Sequence, residues 1–448
     1  MKKLFTYPVF LILFLSFIGS IFFGSLIRHH YMGGERFKSI QKIAIFFAEI
    51  PMNARDMLEH KTFNLNSPPK LKKHKDKKKF NQFIKNERNA LLVLPRYDHS
   101  QNRSLVDVID MNNFEVIHTY KHDISYMNDR VENIKEFPKI KIDSAPARFK
   151  YWHPLILDDG SLVSLGGNAP IFKIDFCSNL KWLNDEEIFH HSLNIDHENN
   201  IWVAGKKNPK SKYLNEYAIK GFSDDSIIKI NTNGKILYNK SVIEILIDNK
   251  IFPHNFAFTT KLLNEDDPIH LNDIEPAINN SKYWNQGDVF LSPRHLSSII
   301  HYRPSNNKVI NYIIGPFSNQ HDVDIISDKE ISIFNNNSSF VDNKFSEIVI
   351  YNFETGKFSK LFNNQLQKNN FKTHSQGLSH ILNDGALMVE EQNHGRIILF
   401  NSKGEKEWEL VNKDKNENIG LISWSRIIEN SIFVDKFKSL VKNKKCTN

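Results

Sequence analysis

Six apolar triplets recur along this chain, and their recurrence limits the fold more than any single motif. They read "SLVDVID" at Ser104, "PIFKID" at Pro170, "SIIKIN" at Ser226, "SSIIHYR" at Ser297, "SEIVIYN" at Ser346 and "GRIILFN" at Gly395. Most follow a second short run across a turn: "DDGSLVSLG" at Asp158, "ENNIWVAG" at Glu198, "NQGDVFLS" at Asn285, "SDKEISIF" at Ser327 and "NDGALMVEE" at Asn383. Asp, Asn and Gly at these turns accept the backbone angles that tight hairpins demand. Short antiparallel strands in units of about 40 to 50 residues fit the blades of a β-propeller, where radial repetition leaves few exposed edges. A flat sandwich explains the strands but not their recurrence.

The expected fold is therefore all-β, a six-bladed β-propeller over residues 89–437. Its ring should close where "LISWSRII" and "SIFVDK", after Gly420, join the strands between Ala90 and Tyr120 in one composite blade. A stretch rich in Phe and Asn, from about Glu244 to Asp267, reads as a lid or rim loop. With 448 residues, 40% of them hydrophobic, the chain can bury a substantial core.

Leu4 to Ile27 is uncharged over 24 residues. At about 1.5 Å per residue it exceeds a hydrocarbon core of about 30 Å. Residues 1–30 are read as an uncleaved single-pass transmembrane anchor. Lys2 and Lys3 favour a cytoplasmic amino terminus, which puts the propeller on the periplasmic, extracytoplasmic side. Residues 31–88 are read as a short amphipathic helix, "RFKSIQKIAIFFAEIPMNARDMLEH", followed by a basic linker announced by Pro68 and Pro69. Residues 438–448 are read as a polar tail.

Net charge is +8, and "KLKKHKDKKK" from Lys70 holds seven lysines against one Asp, which is most of the excess. No aromatic residue is interleaved with the run, so stacking on bases has no support and no nucleic-acid partner is expected. A solvated tether or a contact with anionic headgroups is expected instead. The two cysteines are Cys177 and Cys446, the second in "KNKKCTN". No cysteine chemistry is expected from them.

In a propeller the first strand of each blade lines the central channel, so polar residues heading those strands converge. His321 lies six residues before Ser327, and His191 lies six before His197 at the matching turn. His190 should face the other way, since successive strand residues point to opposite faces. His153 falls out of phase unless a bulge intervenes. "DPIHLNDIEP" supplies His270 and Asn272, and "FLSPRHLS" adds Arg294. His295, His301, His374, His380 and His394 lack this placement and are read as surface or structural residues.

Taken together, "HHSLNID", "DPIHLNDIEP", "GDVFLSPRHLSSIIHYR" and "NQHDVDII" resemble the aryl-sulfate sulfotransferases, six-bladed propeller enzymes that use no nucleotide sulfate donor. The likeness spans roughly Asn89 to Phe437. It implies that His321 is a nucleophile that transiently holds the sulfuryl group as a sulfohistidine. It also implies that His270, Asn272 and Arg294 grip the sulfuryl oxygens with His191 beside them, and that Gln320 contacts substrate. The substrates implied are a small-molecule aryl sulfate and a phenolic acceptor, with no cofactor and no metal. The chain departs from better-known soluble members in its anchor, in lacking their large amino-terminal β-domain, and in a short blade between Arg294 and His321.

The residue types suit the chemistry. A neutral imidazole attacks sulfur without first losing a proton, and covalent catalysis splits transfer into two easier steps. Two other classes stay open. Converging imidazoles also suit a metal-assisted hydrolase or lyase, although Arg294 would repel the ion. A non-catalytic anchored propeller would use the same polar lining to bind a ligand or partner.

Overall fold

The computed structural model describes residues 6–31, 37–63, 68–134, 140, 145–167, 169–208, 210–211, 213, 223–251, 267–338 and 345–446. Those up to 63 and those from 68 onward form two compact units. The first holds helices Thr6–Tyr31 and Lys38–Phe63, the latter with Pro51 inside it. Tyr7–His29 is long and apolar enough to cross a membrane, a test that a signal sequence also passes.

The second unit is an all-β, propeller-like arrangement of antiparallel sheets. Each recurring segment is a strand: Arg103–Asp110, Ala169–Ile174, Asp225–Ile230, Ser298–Arg303, Glu347–Asn352 and Arg396–Phe400. Each pairs with a strand on either side. Among the described residues these strands make five sheets, three of four strands, one of five and one of seven. The expected six separate sheets are not what the pairing gives, because Leu180–Ile195 is one strand of 16 residues that joins two sets of neighbours in a single ladder.

Strand alternation places apolar side chains between neighbouring sheets. Leu92 and Ile109 pack with Met388, Ile397 and Trp408, while Ile274 and Val289 pack with Ala204 and Ile227. The seven-stranded ladder also folds its halves face to face, with Val163 and Ile171 against Val203 and Ile228. Each such fully buried aliphatic side chain contributes about 1.5–3 kcal/mol of transfer free energy.

Arg426–Ile428 pairs with Leu91–Asp98, so strands from both ends of this unit share a sheet. "SIFVDK", expected as a strand, is instead the start of helix Ser431–Asn443. Asn430 caps it by accepting the Phe433 N–H, and Val434 and Phe437 are buried at helical spacing. The helix leads to a Cys177–Cys446 disulfide that closes 269 residues, so the cysteines do have a structural role. The expected polar tail is mostly this helix and its tether.

The basic run is not a free tether. His74 Nε2 lies 2.7 Å from Glu391, Lys73 also pairs with Glu391, and Lys77 reaches Glu409 at 2.9 Å. Burial alone would raise the Glu391 pKa, but His74, Arg396 and Lys73 outweigh it and hold the group at about 2. A buried carboxylate needs cations, and the lysine run supplies them. Phe80–Gln82 then adds a strand to Lys406–Val411. The expected rim loop begins as helix Val242–Asp248, capped by Ser241. Its remainder, 252–266, lies outside the described residues.

Candidate active site

Six residues have a left-handed backbone at comparable points of the strands: His191 (φ 64°) inside Leu180–Ile195, and His153 (40°), His270 (50°), Asn319 (53°), Gln376 (62°) and Trp424 (63°) at or just before the start of a strand that edges its sheet. None is glycine, so each position carries steric cost. At three of them the strand also shifts register, between Trp152 and Leu155, His190 and Leu193, and Leu271 and Asp273. A bulge bends the strand and re-aims a side chain. Strain repeated at one level of the fold marks that level as a functional candidate.

There the structure brings His191, His270, Arg294 and His321 around one cavity of about 370 Å³, which Trp152, Lys206, Asp267 and Gln376 also line. Ring centroids of His191 lie 5.2 Å from His270 and 6.3 Å from His321.

The hydrogen bonds of His321 fix its tautomer. Asn336 Nδ2 donates to the carbonyls of Thr373 (3.1 Å) and Gln376 (2.7 Å), which turns its Oδ1 toward His321 Nδ1 at 2.5 Å. Nδ1 therefore carries the hydrogen, and Nε2 keeps a lone pair that accepts the Gln376 N–H at 2.8 Å. Burial, then Arg294 and His270, push the His321 pKa well below its ordinary value, so the ring is neutral.

Asp267 organises the opposite wall. Its Oδ2 accepts His270 Nδ1–H at 2.6 Å, and its carbonyl accepts His295 Nδ1–H at 2.6 Å. His295 Nε2 in turn accepts Arg294 Nη1–H at 2.7 Å. Burial would raise the Asp267 pKa, but the bond from His270 and nearby cations hold it well below the usual carboxylate range. Arg294 Nε is enclosed and has no hydrogen-bond partner. Arg294 also lines the pit, and a cationic side chain with an unsatisfied donor beside a polar cavity suits an anion.

His191 Nδ1 lies 2.7 Å from His190 Nδ1, and its ring packs edge-on to Trp152 at 5.1 Å. Burial, then the neighbouring histidines and Lys206, hold His191 neutral as well. His190 also lines the cavity rather than facing away, because the bulge between His190 and Leu193 breaks the strand alternation.

Asn272 and Gln320 do not line this cavity. Both are fully buried: Asn272 donates to the Gln320 carbonyl, and Gln320 to those of Pro293 and Ser298. Through these bonds they brace backbone, and the structure does not bring them to the cavity with the other expected site residues. His153, on its bulge, accepts the Leu193 N–H and lines a separate cavity of about 730 Å³. His295, read as structural, holds Arg294 directly. Asp267 was within reach of sequence reading, three residues before His270. Asn336 follows the strand paired with that of His321, Gln376 comes from another sheet, and neither carried a signal. Among the described residues, no three His, Cys, Asp or Glu side chains are placed to hold a metal ion.

The arylsulfotransferase (ASST) family model matches residues 167–413. No curated protein matches the chain. Similar solved structures include a protein of unknown function from Bacteroides caccae, 13% identical, TM-score 0.47, covering 77% of this chain and 100% of that one. Virginiamycin B lyase from Staphylococcus aureus is 14% identical with TM-score 0.33, covering 58% of this chain and 69% of that one. TolB from Acinetobacter baumannii is 9% identical with TM-score 0.43, covering 76% and 66%. Likenesses this distant say nothing about function.

Proposed function

Since the chain belongs to the arylsulfotransferase family, we propose that it moves a sulfuryl group from a phenolic sulfate ester to a phenol-type acceptor through a sulfohistidine at His321. One observation carries the reading: His321, whose Nε2 keeps its lone pair, and Arg294, whose Nε–H has no hydrogen-bond partner, line the same cavity. Burial with Arg294 and His270 keeps the ring neutral, and the pinned Nδ1–H leaves Nε2 as the nitrogen with the lone pair for sulfur. Arg294 and Lys206 supply the positive charge that a sulfate ester needs, and protein positioning and electrostatics do most of the work, as in phosphoryl transfer. Trp152 offers an aromatic wall for the arene.

Attack requires the Ser375–Gly377 turn to withdraw the Gln376 N–H from Nε2. That N–H then faces the sulfuryl oxygens. The nitrogen–sulfur bond forms as the ester sulfur–oxygen bond breaks, and the electron pair leaves on the phenolate oxygen. A phenol then attacks sulfur and the pair returns to Nε2.

The six left-handed residues and the face-to-face packing within the seven-stranded ladder support a six-bladed count, with Leu180–Ile195 shared by two blades. We read residues 1–30 as an anchor, 31–88 as the amphipathic helix and basic segment, 89–437 as the propeller and 438–448 as its tail. The Cys177–Cys446 disulfide supports an oxidising, extracytoplasmic location for the propeller.

Incubation with 4-nitrophenyl sulfate and phenol tests the reaction. Nitrophenolate release that depends on phenol and on His321 is expected. Release that ignores both would remove the transferase reading.

A further inference from the structure

Two buried groups beside the pit have no part in the chemistry above. His190 Nε2 and Asp225 Oδ1 are enclosed, neither has a hydrogen-bond partner, and they face each other at 3.5 Å. Asp225 is fully buried, and its other oxygen accepts the Leu271 N–H at 2.6 Å. On its far side His190 meets His191, Nδ1 to Nδ1, at 2.7 Å. A contact between two imidazole nitrogens requires one to donate and the other to accept, so the tautomers of the pair are locked together.

We propose that Asp225, His190 and His191 form a proton relay that opens into the pit at His191 Nε2, with Asp225 and His190 as positioning residues behind catalytic His191. The relay rests on the sulfuryl-transfer reading and deepens it by naming the path of the proton. With His190 Nε2–H turned to the Asp225 carboxylate, His190 Nδ1 accepts the His191 Nδ1–H, and His191 Nε2 keeps its lone pair. In that state His191 is a base. A proton arriving at His191 Nε2 sends the Nδ1 proton across to His190, so the positive charge rests beside Asp225.

Charge placement is what the relay contributes. His191 faces His190, His270, His321 and Lys206, all of which oppose a second positive charge in the pit. His190 faces Asp225, and the Asp267 carboxylate also acts on it. In the donor half-reaction His191 Nε2–H gives its proton to the departing phenolate oxygen, and the His190 Nδ1 proton returns to His191. In the acceptor half-reaction His191 Nε2 takes the phenol proton as oxygen bonds to sulfur and the nitrogen–sulfur pair returns to His321. Protons balance over the cycle.

The relay has a leaving-group signature. 4-Nitrophenolate departs without a proton, whereas unsubstituted phenolate needs one. Asp225→Asn keeps an oxygen for the Leu271 N–H but presents an amide N–H to His190 Nε2. His190 must then donate from Nδ1 and cannot carry a second proton on Nε2, so the pair stays neutral and has no proton to give the departing phenolate from His191 Nε2. With 4-nitrophenyl sulfate the variant should sulfonate His321 within about threefold of the wild-type rate, and with phenyl sulfate it should fall by about 10²-fold to 10⁴-fold. His190→Ala should give the same split, and Asp225→Glu should recover part of the phenyl sulfate rate. Thermal melting establishes that each variant is folded. Equal loss on both donors, or loss on neither, in a folded variant overturns the relay. Sulfonated His321 is measured in the wild type alongside, and its absence there overturns the sulfohistidine reading and the relay with it.

Discussion

The inner strands carry imidazoles at one end and carboxylates at the other. His270 heads the strand that continues through Asp273 and Glu275, and His321 precedes Asp322 and Asp324. The imidazole end encloses about 370 Å³ and the carboxylate end about 730 Å³. In the small pit, burial drives His191 and His321 neutral and leaves lone pairs for chemistry. Asp324 lines the large cavity and Asp273 is buried behind it: burial pushes Asp273 up to about 6, and burial with repulsion from Asp273 pushes Asp324 up to about 8. Arg426 is the cation among these carboxylates, and burial lowers its own pKa to about 10. Its guanidinium is tied to the carbonyls of Pro154 and Leu193. The proposed reaction uses the smaller of the two cavities. Desolvation turns an imidazole into a nucleophile and a carboxylate into a proton holder.

His321→Ala is the severest test of that contrast, and it should abolish turnover while the melting temperature stays near that of the wild type. Retained sulfate transfer would erase the distinction between the ends. Arg426→Met should do the opposite, leaving turnover near normal but costing up to about 3–5 kcal/mol of stability at pH 8, where the carboxylates lose their cation. Denaturant melts should show a smaller loss at pH 5, where those groups are protonated.

Arg294→Ala should lower kcat/KM by about 10²-fold to 10³-fold, the usual cost of an oxyanion donor, without moving stability at pH 8. Asn336→Ala frees the His321 tautomer and should cost about 1–3 kcal/mol of transition-state stabilisation, read as kcat.

The pH dependence of melting gives the smallest and most diagnostic effect. His191 and His321 have folded pKa values below the unfolded value of about 6.5, so their contribution is present above that pH and lost as pH falls beneath it. Asp273 and Asp324 have folded values raised above the unfolded carboxylate value near 4, so theirs is present below that pH and lost as pH rises through about 6 to 8. Asp324→Asn should flatten only the alkaline limb of the stability profile, reducing its slope by up to about 1.4 kcal/mol per pH step of one, the linkage limit for a single proton. A mutant that flattens both limbs would show that the two ends are not independent.

The strands were legible because apolar alternation and turn residues are local signals, and all six recurring segments are strands. The gathering of His191, His270, Arg294 and His321 followed from the likeness of their motifs and from strand phase. What escaped was set by contacts between distant segments. Asn336 meets His321 from the neighbouring strand and Asp225 meets His190 from two strands along the same ladder, and no spacing announces either. The bulge between His190 and Leu193 breaks the period on which the expected orientation of His190 rests. The lysine run looks solvated in sequence because its partners, Glu391 and Glu409, lie over three hundred residues on. "SIFVDK" is too short to separate a strand period from a helical one.

Mass spectrometry of the wild-type protein, exposed to 4-nitrophenyl sulfate without acceptor and quenched near neutral pH, bears most directly on the central claim. A peptide carrying sulfonated His321 is predicted, in amount equal to the nitrophenolate released in the first turnover. Nitrophenolate release with His321 unmodified, or with the sulfuryl group on another residue, would contradict it.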